Sequence, residues 1–257
     1  MMSMDRPRDR HPLERRVARL TAAAIGLALL WAGTVLWTVI RNPRIPPVLA
    51  VERLEIREPD GELAFALANS ARPSVGIMGG EVIMADQAEE RRHPNFIFFD
   101  GNGDEVGGLM LRTTEGPDGP AVARFMTFDA HDQQETLVLG YTRNARGTTT
   151  SGLRIIDHPS GVSLLGALAK LGLEPGFTRA ELEEAVAGIP AGERQSRIRE
   201  LRGITRAVLG STREGDVALT LHDGDGRPRI VLEVPLHGEA AIRVLDGDGE
   251  TMLRLPR

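Results

Sequence analysis

The stretch NFIFFDGNGDEVGGL, residues 95–109, runs alternating side chains into an Asp-Gly-Asn-Gly turn and out again. A period of two puts one face of a strand against an apolar neighbour, and a turn glycine reaches positive φ without a Cβ penalty, so the stretch predicts a β-hairpin. Three further stretches align with it when each is hung on its turn glycine: Gly61, Gly226 and Gly249 against Gly103. Seven residues before the glycine stand Leu54, Phe96, Leu219 and Ile242, and five before it Ile56, Phe98, Leu221 and Val244. Three before it come Glu58, Asp100, Asp223 and Asp246. On the return, four after it stand Phe65, Gly107, Ile230 and Leu253, and six after it Leu67, Leu109, Leu232 and Leu255. One hairpin cannot bury such a face alone. The expected fold class is therefore mainly β: an antiparallel hairpin-repeat sandwich or barrel-like domain.

Outward from these units, Leu109–Arg112 should pair with Val122–Phe128 around Pro117-Asp118-Gly119, and Leu137–Thr142 with Leu153–Ile156 around the loop 143–151. Between Gly161 and Gly210 the period changes. Val162 to Leu171 is a short apolar stretch, and Thr178-Arg-Ala-Glu181 has capping-box spacing that starts a helix through Ala187. A second helix is expected from Gly192 to Leu209, with Ile198, Leu201, Thr205 and Val208 on one face and Gly210 as its stop. The domain is thus read as β-rich over 51–160, an α-helical insertion over 161–210, and C-terminal hairpins over 211–257.

Before the β-domain lies LTAAAIGLALLWAGTVLWTVI, residues 20–40, which are 21 residues without a charge. A helix of that length reaches about 30 Å, the thickness of a bilayer core. Arg41, Asn42, Pro43 and Arg44 follow it directly, so it reads as an uncleaved transmembrane helix rather than a signal peptide, joined to the domain by a Pro-rich connector over 41–50. Residues 1–19 hold six arginines (Arg6, Arg8, Arg10, Arg15, Arg16, Arg19) against Asp5, Asp9 and Glu14, which makes them a basic cytoplasmic tail by the positive-inside rule. The expected location is the bacterial inner membrane, single-pass, with the C-terminal domain extracytoplasmic or periplasmic. Trp37 is placed as an interfacial anchor. Ala22/Gly26 and Ala24/Ala28/Ala32 have the small-xxx-small spacing of close-packed spans.

Composition removes several functions. The 257 residues contain no cysteine, which excludes a disulfide framework, a thiolate metal site and a cysteine nucleophile. A net charge of -5, with 4% aromatic residues, argues against nucleic acid as a partner.

Residues 95–109 also resemble a group of uncharacterised bacterial single-pass membrane proteins that share an aromatic strand, an Asn- or Asp-led turn with Gly-Asp-Glu, and then Gly-Gly-Leu. The likeness extends to Arg53–Asn69, to Phe128-Asp129 with Asp132-Gln133, to Gly152–Asp157 and to the Asp-x-x-Gly-Arg hairpin near the C-terminus. The resemblance implies a bacterial cell-envelope location and names no activity.

Four constellations are candidates for chemistry. Asp100, Asn102 and Asp104 copy the first half of a calcium loop, but Glu105 stands where its glycine should and Leu111 where its bidentate glutamate should, so only a weak calcium site is implied and no other cofactor. His131 and His158, with Asp129, Asp132 or Asp157, would be metal ligands or a base and its orienter if strand ends bring them together. Glu105 beside Gly107 and Gly108 reads either as a bulge or as a groove where a partner approaches the backbone. Arg194, Arg197, Arg199, Arg202 and Arg206 read as a salt-laced helix face with Glu193 and Glu200. With strands and loops but no recognisable catalytic set, the first expectation is a membrane-anchored domain that binds or scaffolds an unknown envelope protein. The alternatives are a metal-assisted hydrolase and a structural element that assembles with itself.

Overall fold

A computed structural model describes residues 12–41 and 48–256, so the start of the basic tail and the connector at Asn42–Pro47 lie outside the described residues. The chain divides into two compact units, Met1–Ala50 and Val51–Arg257. The first holds one helix, α1 (Pro12–Arg41). Its 23-residue stretch Arg15–Trp37 is long and apolar enough to cross a membrane, and none of it is buried within the chain. Thr21 and Thr34 donate their hydroxyls to Val17 O at 2.9 Å and Trp31 O at 2.8 Å. Neither hydroxyl then needs water, which suits an apolar medium.

The second unit begins with β1 (Arg53–Arg57) and β2 (Leu63–Ala68), a short ribbon of β3 (Ile77–Met78) and β4 (Glu81–Val82), and the single turn α2 (Gln87–Glu90). Next come β5 (Asn95–Phe99), β6 (Glu105–Thr114), β7 (Ala121–Asp129), β8 (Glu135–Arg143) and β9 (Thr149–Asp157). Three helices follow, α3 (Leu164–Ala169), α4 (Arg179–Ala187) and α5 (Arg194–Arg202). The chain closes with β10 (Ile204–Ser211), β11 (Val217–His222), β12 (Pro228–Val234), β13 (Ala241–Leu245) and β14 (Thr251–Leu255). All strands but β3 and β4 join one 12-stranded sheet in the order β1-β2-β5-β6-β7-β8-β9-β10-β11-β12-β13-β14. Every neighbouring pair is antiparallel. The expectation of a barrel or sandwich is corrected here. A barrel needs β1 to pair with β14, and both are open edges; a sandwich needs a second large sheet, and among the described residues the one other sheet is the β3-β4 ribbon.

The turns explain their aspartates. Asp100 N–H donates to Asp104 O at 2.9 Å and Gly103 N–H to Asp100 O at 3.0 Å, and the same pair of bonds recurs at Asp223/Gly226 and Asp246/Gly249. Each leading carboxylate also accepts two backbone N–H groups of its own turn: Asp100 from Asn102 and Asp104, Asp223 from Asp225 and Arg227, Asp246 from Asp248 and Glu250. Those bonds, from Arg227 N–H and Glu250 N–H above all, hold the Asp223 and Asp246 carboxyls below the usual carboxylate range.

In the helical segment, α4 begins as expected. Thr178 Oγ1 accepts from Glu181 N–H at 3.3 Å, and Thr178 N–H donates to Glu181 Oε2 at 2.7 Å. The second predicted helix is corrected: α5 stops at Arg202, Gly203 turns at φ 66°, and 204–211 form β10. Ile198, Leu201, Thr205 and Val208 keep helical spacing across this break, but β10 is paired on both sides, by β9 and β11. Pairing on two edges outweighs the spacing, and Ile204, Thr205 and Val208 are β-branched residues suited to strands. β10 also carries the C-terminal hairpins into the same sheet.

The two faces of the sheet differ. The register aligns one row across all strands, Ile56–Phe65–Phe98–Gly107–Phe128–Leu137–Ile155–Ala207–Leu221–Ile230–Val244–Leu253. A second row on the same face is Leu54–Leu67–Phe96–Leu109–Met126–Leu139–Leu153–Leu209–Leu219–Leu232–Ile242–Leu255. Neither row contains a polar side chain, yet both lie open: Ile56 is 55% exposed, Leu139 55% and Leu209 47%. The opposite face carries Ala66, Ile97 and Phe99, which are buried, and then more polar residues such as Thr142, Thr150, Arg154 and Thr220 further along. The helices have a core of their own, with Leu164, Leu168, Phe177 and Leu201 packed around Met78.

Candidate functional site

Between the covered face of β5–β7 and the helices lies a cavity of about 340 Å³. Ile97, Gly108, Met110 and Thr127 form its floor, and Leu164, Leu168, Phe177, Leu182, Val186 and Leu201 its helical wall. One part of the lining is polar. Arg91, just past α2, donates from both terminal guanidinium nitrogens to Glu105 at the start of β6, at 2.9 and 3.0 Å, and both side chains are largely buried. Asp129 ends β7 beside them, with Oδ1 enclosed and unpartnered. Burial pushes its carboxyl up to about 7, helped by the charges of Glu105 and then Glu135 and opposed by Arg91. Gln133 is 3% exposed; its amide nitrogen donates to Val162 O while its Oε1 is enclosed without a partner. Gln87 Oε1 accepts from Gly76 N–H at 2.6 Å and so ties α2 to the loop before β3. A mostly apolar cavity with a few convergent polar groups and a displaced carboxyl pKa has the character of a small-molecule site.

The residues singled out from sequence have separate fates. His131 faces solvent and meets only the neighbouring Asp132 carboxylate, Nδ1 to Oδ1 3.1 Å. His158 instead lies within 3.1 Å of Glu135 O through Nε2, and its Nδ1 is enclosed. Asp157 is taken by Arg206 at 3.0 Å. Asp132 is a turn residue at φ 55°, and its carbonyl accepts from Leu164 N–H at 2.7 Å. The structure therefore does not assemble His131, Asp132, Asp157 and His158 into one site. No group of three His, Asp or Glu residues fit to hold a metal occurs among the described residues. In the half calcium loop, Asp100 spends its carboxylate on its own turn, Asp104 Oδ1 accepts from Gly80 N–H at 3.2 Å, and Asn102 Nδ2 leans on Asp100.

Glu105, Gly107 and Gly108 are explained by the sheet itself. Val106 is the extra residue of a bulge, because Phe98 pairs with Gly107 and Phe99 with Glu105. A Cβ on Gly107 would lie 2.3 Å from Thr127 O, and one on Gly108 2.6 Å from Phe96 O. The close neighbours are β7 and β5, so the room that the glycines leave is filled by the protein's own strands. The cationic helix face is also divided. Arg197 pairs with Glu193 and Glu200, Arg199 with Asp225, Arg202 lines the cavity and Arg206 belongs to β10.

No family model, curated protein or solved structure matches this chain.

Two features of the β-domain are candidates for function: the cavity and the open apolar face. Sequence reading missed Arg91 as the partner of Glu105. The available signal was Glu105 itself, a carboxylate at the start of a strand of the apolar-patterned sheet, which needs a cationic or hydrogen-bonding partner once enclosed. The open face was legible as alternation, since every residue of both rows sits at an apolar position of its strand. Its lack of a cover was not, because alternation marks an apolar face without showing what packs on it.

Proposed function

We propose that this chain is a bacterial inner-membrane protein, N-terminus cytoplasmic, whose extracytoplasmic β-domain binds or scaffolds another component of the cell envelope on its open sheet face. The observation that carries the reading is the pair of uninterrupted apolar rows across all twelve strands. Folded monomers rarely expose apolar patches above about 600 Å², and larger ones mark contact surfaces. The apolar α1 and the basic residues before it support the anchor and its orientation. The domain is read as a repeat of one hairpin unit, which makes the face long while keeping its chemistry uniform.

A photo-crosslinking residue placed at Leu139 or Leu232, on the open face, should give adducts in intact cells, whereas one at Arg154 on the other face should not. Equal labelling from both faces, or none from either, would count against the reading.

A further inference from the structure

We infer that the component docked on the open face is a second copy of this chain, packed face to face about a two-fold axis that runs along the apolar strip, across the strands. The inference rests on the reading of this face as a contact surface and names its partner.

Size comes first. Twelve strands spaced about 4.8 Å apart make a strip about 53 Å long, and two rows of alternate residues make it about 14 Å wide, or about 700 Å² in projection. The accessible area of a corrugated surface exceeds its projection, so the strip meets the roughly 800 Å² per partner of a stable interface. Two sheets stacked on such faces would lie about 10 Å apart, as in a β-sandwich. This supplies the cover that the apolar face of β11–β14 lacks within one chain, where Ile230, Leu232, Ile242, Leu253 and Leu255 all stand exposed.

Length and pitch then select the partner, and charge selects the axis. Strands rotate by about 20–25° from one to the next, so twelve of them turn through more than half a revolution. A foreign surface would have to carry an uncharged strip of the same length and pitch. A second copy has both, and a two-fold along the strip leaves each strand over the same strand of the other copy from β1 to β14. An axis parallel to the strands would instead reverse the strip and lay β1 over β14. It would also set the acidic turns at Asp100, Asp223 and Asp246 against their equivalents. Rotation about the strip instead carries each of those turns to the opposite side of its own strands, where the Asp100 turn comes nearest to Arg124 of the neighbouring β7, a residue that continues the open face beyond the two rows.

The absence of cysteine makes the test clean. Single variants Leu54→Cys on β1, Leu139→Cys on β8 and Leu253→Cys on β14 are made in the full-length chain and treated in membranes with a short bismaleimide. Arg154→Cys serves as the control on the other face. The expected result is a shift to twice the monomer mass for each of the three open-face variants and none for Arg154→Cys, a selectivity that pairing through α1 alone would not produce. Crosslinking of Leu54→Cys only to Leu253→Cys in a mixture would overturn the axis. Adducts of the open-face cysteines to a different protein would overturn the second copy while leaving the contact surface standing. No adduct at any position, with a monomer mass by light scattering, would overturn both.

Discussion

Arg91 holds Glu105 through two parallel hydrogen bonds, Nη1 to Oε2 at 2.9 Å and Nη2 to Oε1 at 3.0 Å, with 16% and 14% of the side chains left exposed. The pair joins the loop after α2 to the bulged start of β6 and closes one side of the cavity. Removing one partner of such a pair strands a charge away from water. Arg91→Met should lower stability by about 3 kcal/mol, read from urea unfolding at neutral pH. Adding Glu105→Gln to it should restore most of the loss, and a double variant no better than the single one would show that the pair is not what is being broken.

Asp129 sets a pH dependence of defined sign. Its carboxyl is raised to about 7 in the fold from an ordinary value of 3.8. Between those values the unfolded chain has released the proton and the folded one retains it, so stability falls as pH rises. The stabilisation is fully present below about pH 4 and is lost as pH rises through about 7, up to about 4 kcal/mol if the whole shift is expressed. Urea midpoints at pH 5 and pH 8 should differ in that direction. Asp129→Asn should flatten the difference and be the more stable form at pH 8.

Two glycines separate close approach from turn geometry. Gly107 has φ 132° and would place a Cβ 2.3 Å from a backbone oxygen of β7, so Gly107→Val should cost more than about 2 kcal/mol and open the β6–β7 pairing. At Gly103, φ is 77° and the nearest obstacle is the movable end of Glu62. Gly103→Val should cost about 1–2 kcal/mol through its backbone alone. Melting temperatures of the two variants should rank in that order.

For the anchor, replacing Leu29 and Leu30 by arginine adds about 2.5–3.5 kcal/mol each to insertion of the helix centre. The double variant should leave the membrane fraction on carbonate extraction, and retention there would place the attachment elsewhere.

Turn chemistry is local, which is why the hairpins at Gly61, Gly103, Gly226 and Gly249, the pairings β6–β7 and β8–β9, and the start of α4 at Thr178 were readable from sequence. The end of α5 was not, because the spacing of Ile198, Leu201, Thr205 and Val208 runs through Gly203 as though the helix continued, and only pairing with β9 and β11 decides the strand. The cavity depends on residues far apart in the chain: Arg91 after α2, Asp129 at the end of β7, Gln133 in a turn and Leu201 on α5. No window of sequence contains them together. The histidines misled for a related reason. His131 and His158 both fall at strand ends, but His131 stands in solvent and His158 turns to Glu135 O.

Each strand of the sheet lies beside the strand that precedes it in the chain, apart from the interruptions by the β3-β4 ribbon and the helices. Such an arrangement can be laid down in the order of synthesis. Once β1 and β2 have met, every later strand finds a finished edge waiting, and loop closure stays short except across the β3-β4 ribbon and the helical segment. Losing the last hairpin would shorten the sheet without opening its middle, whereas losing β8 would leave β7 and β9, which run the same way, to meet in a parallel pairing.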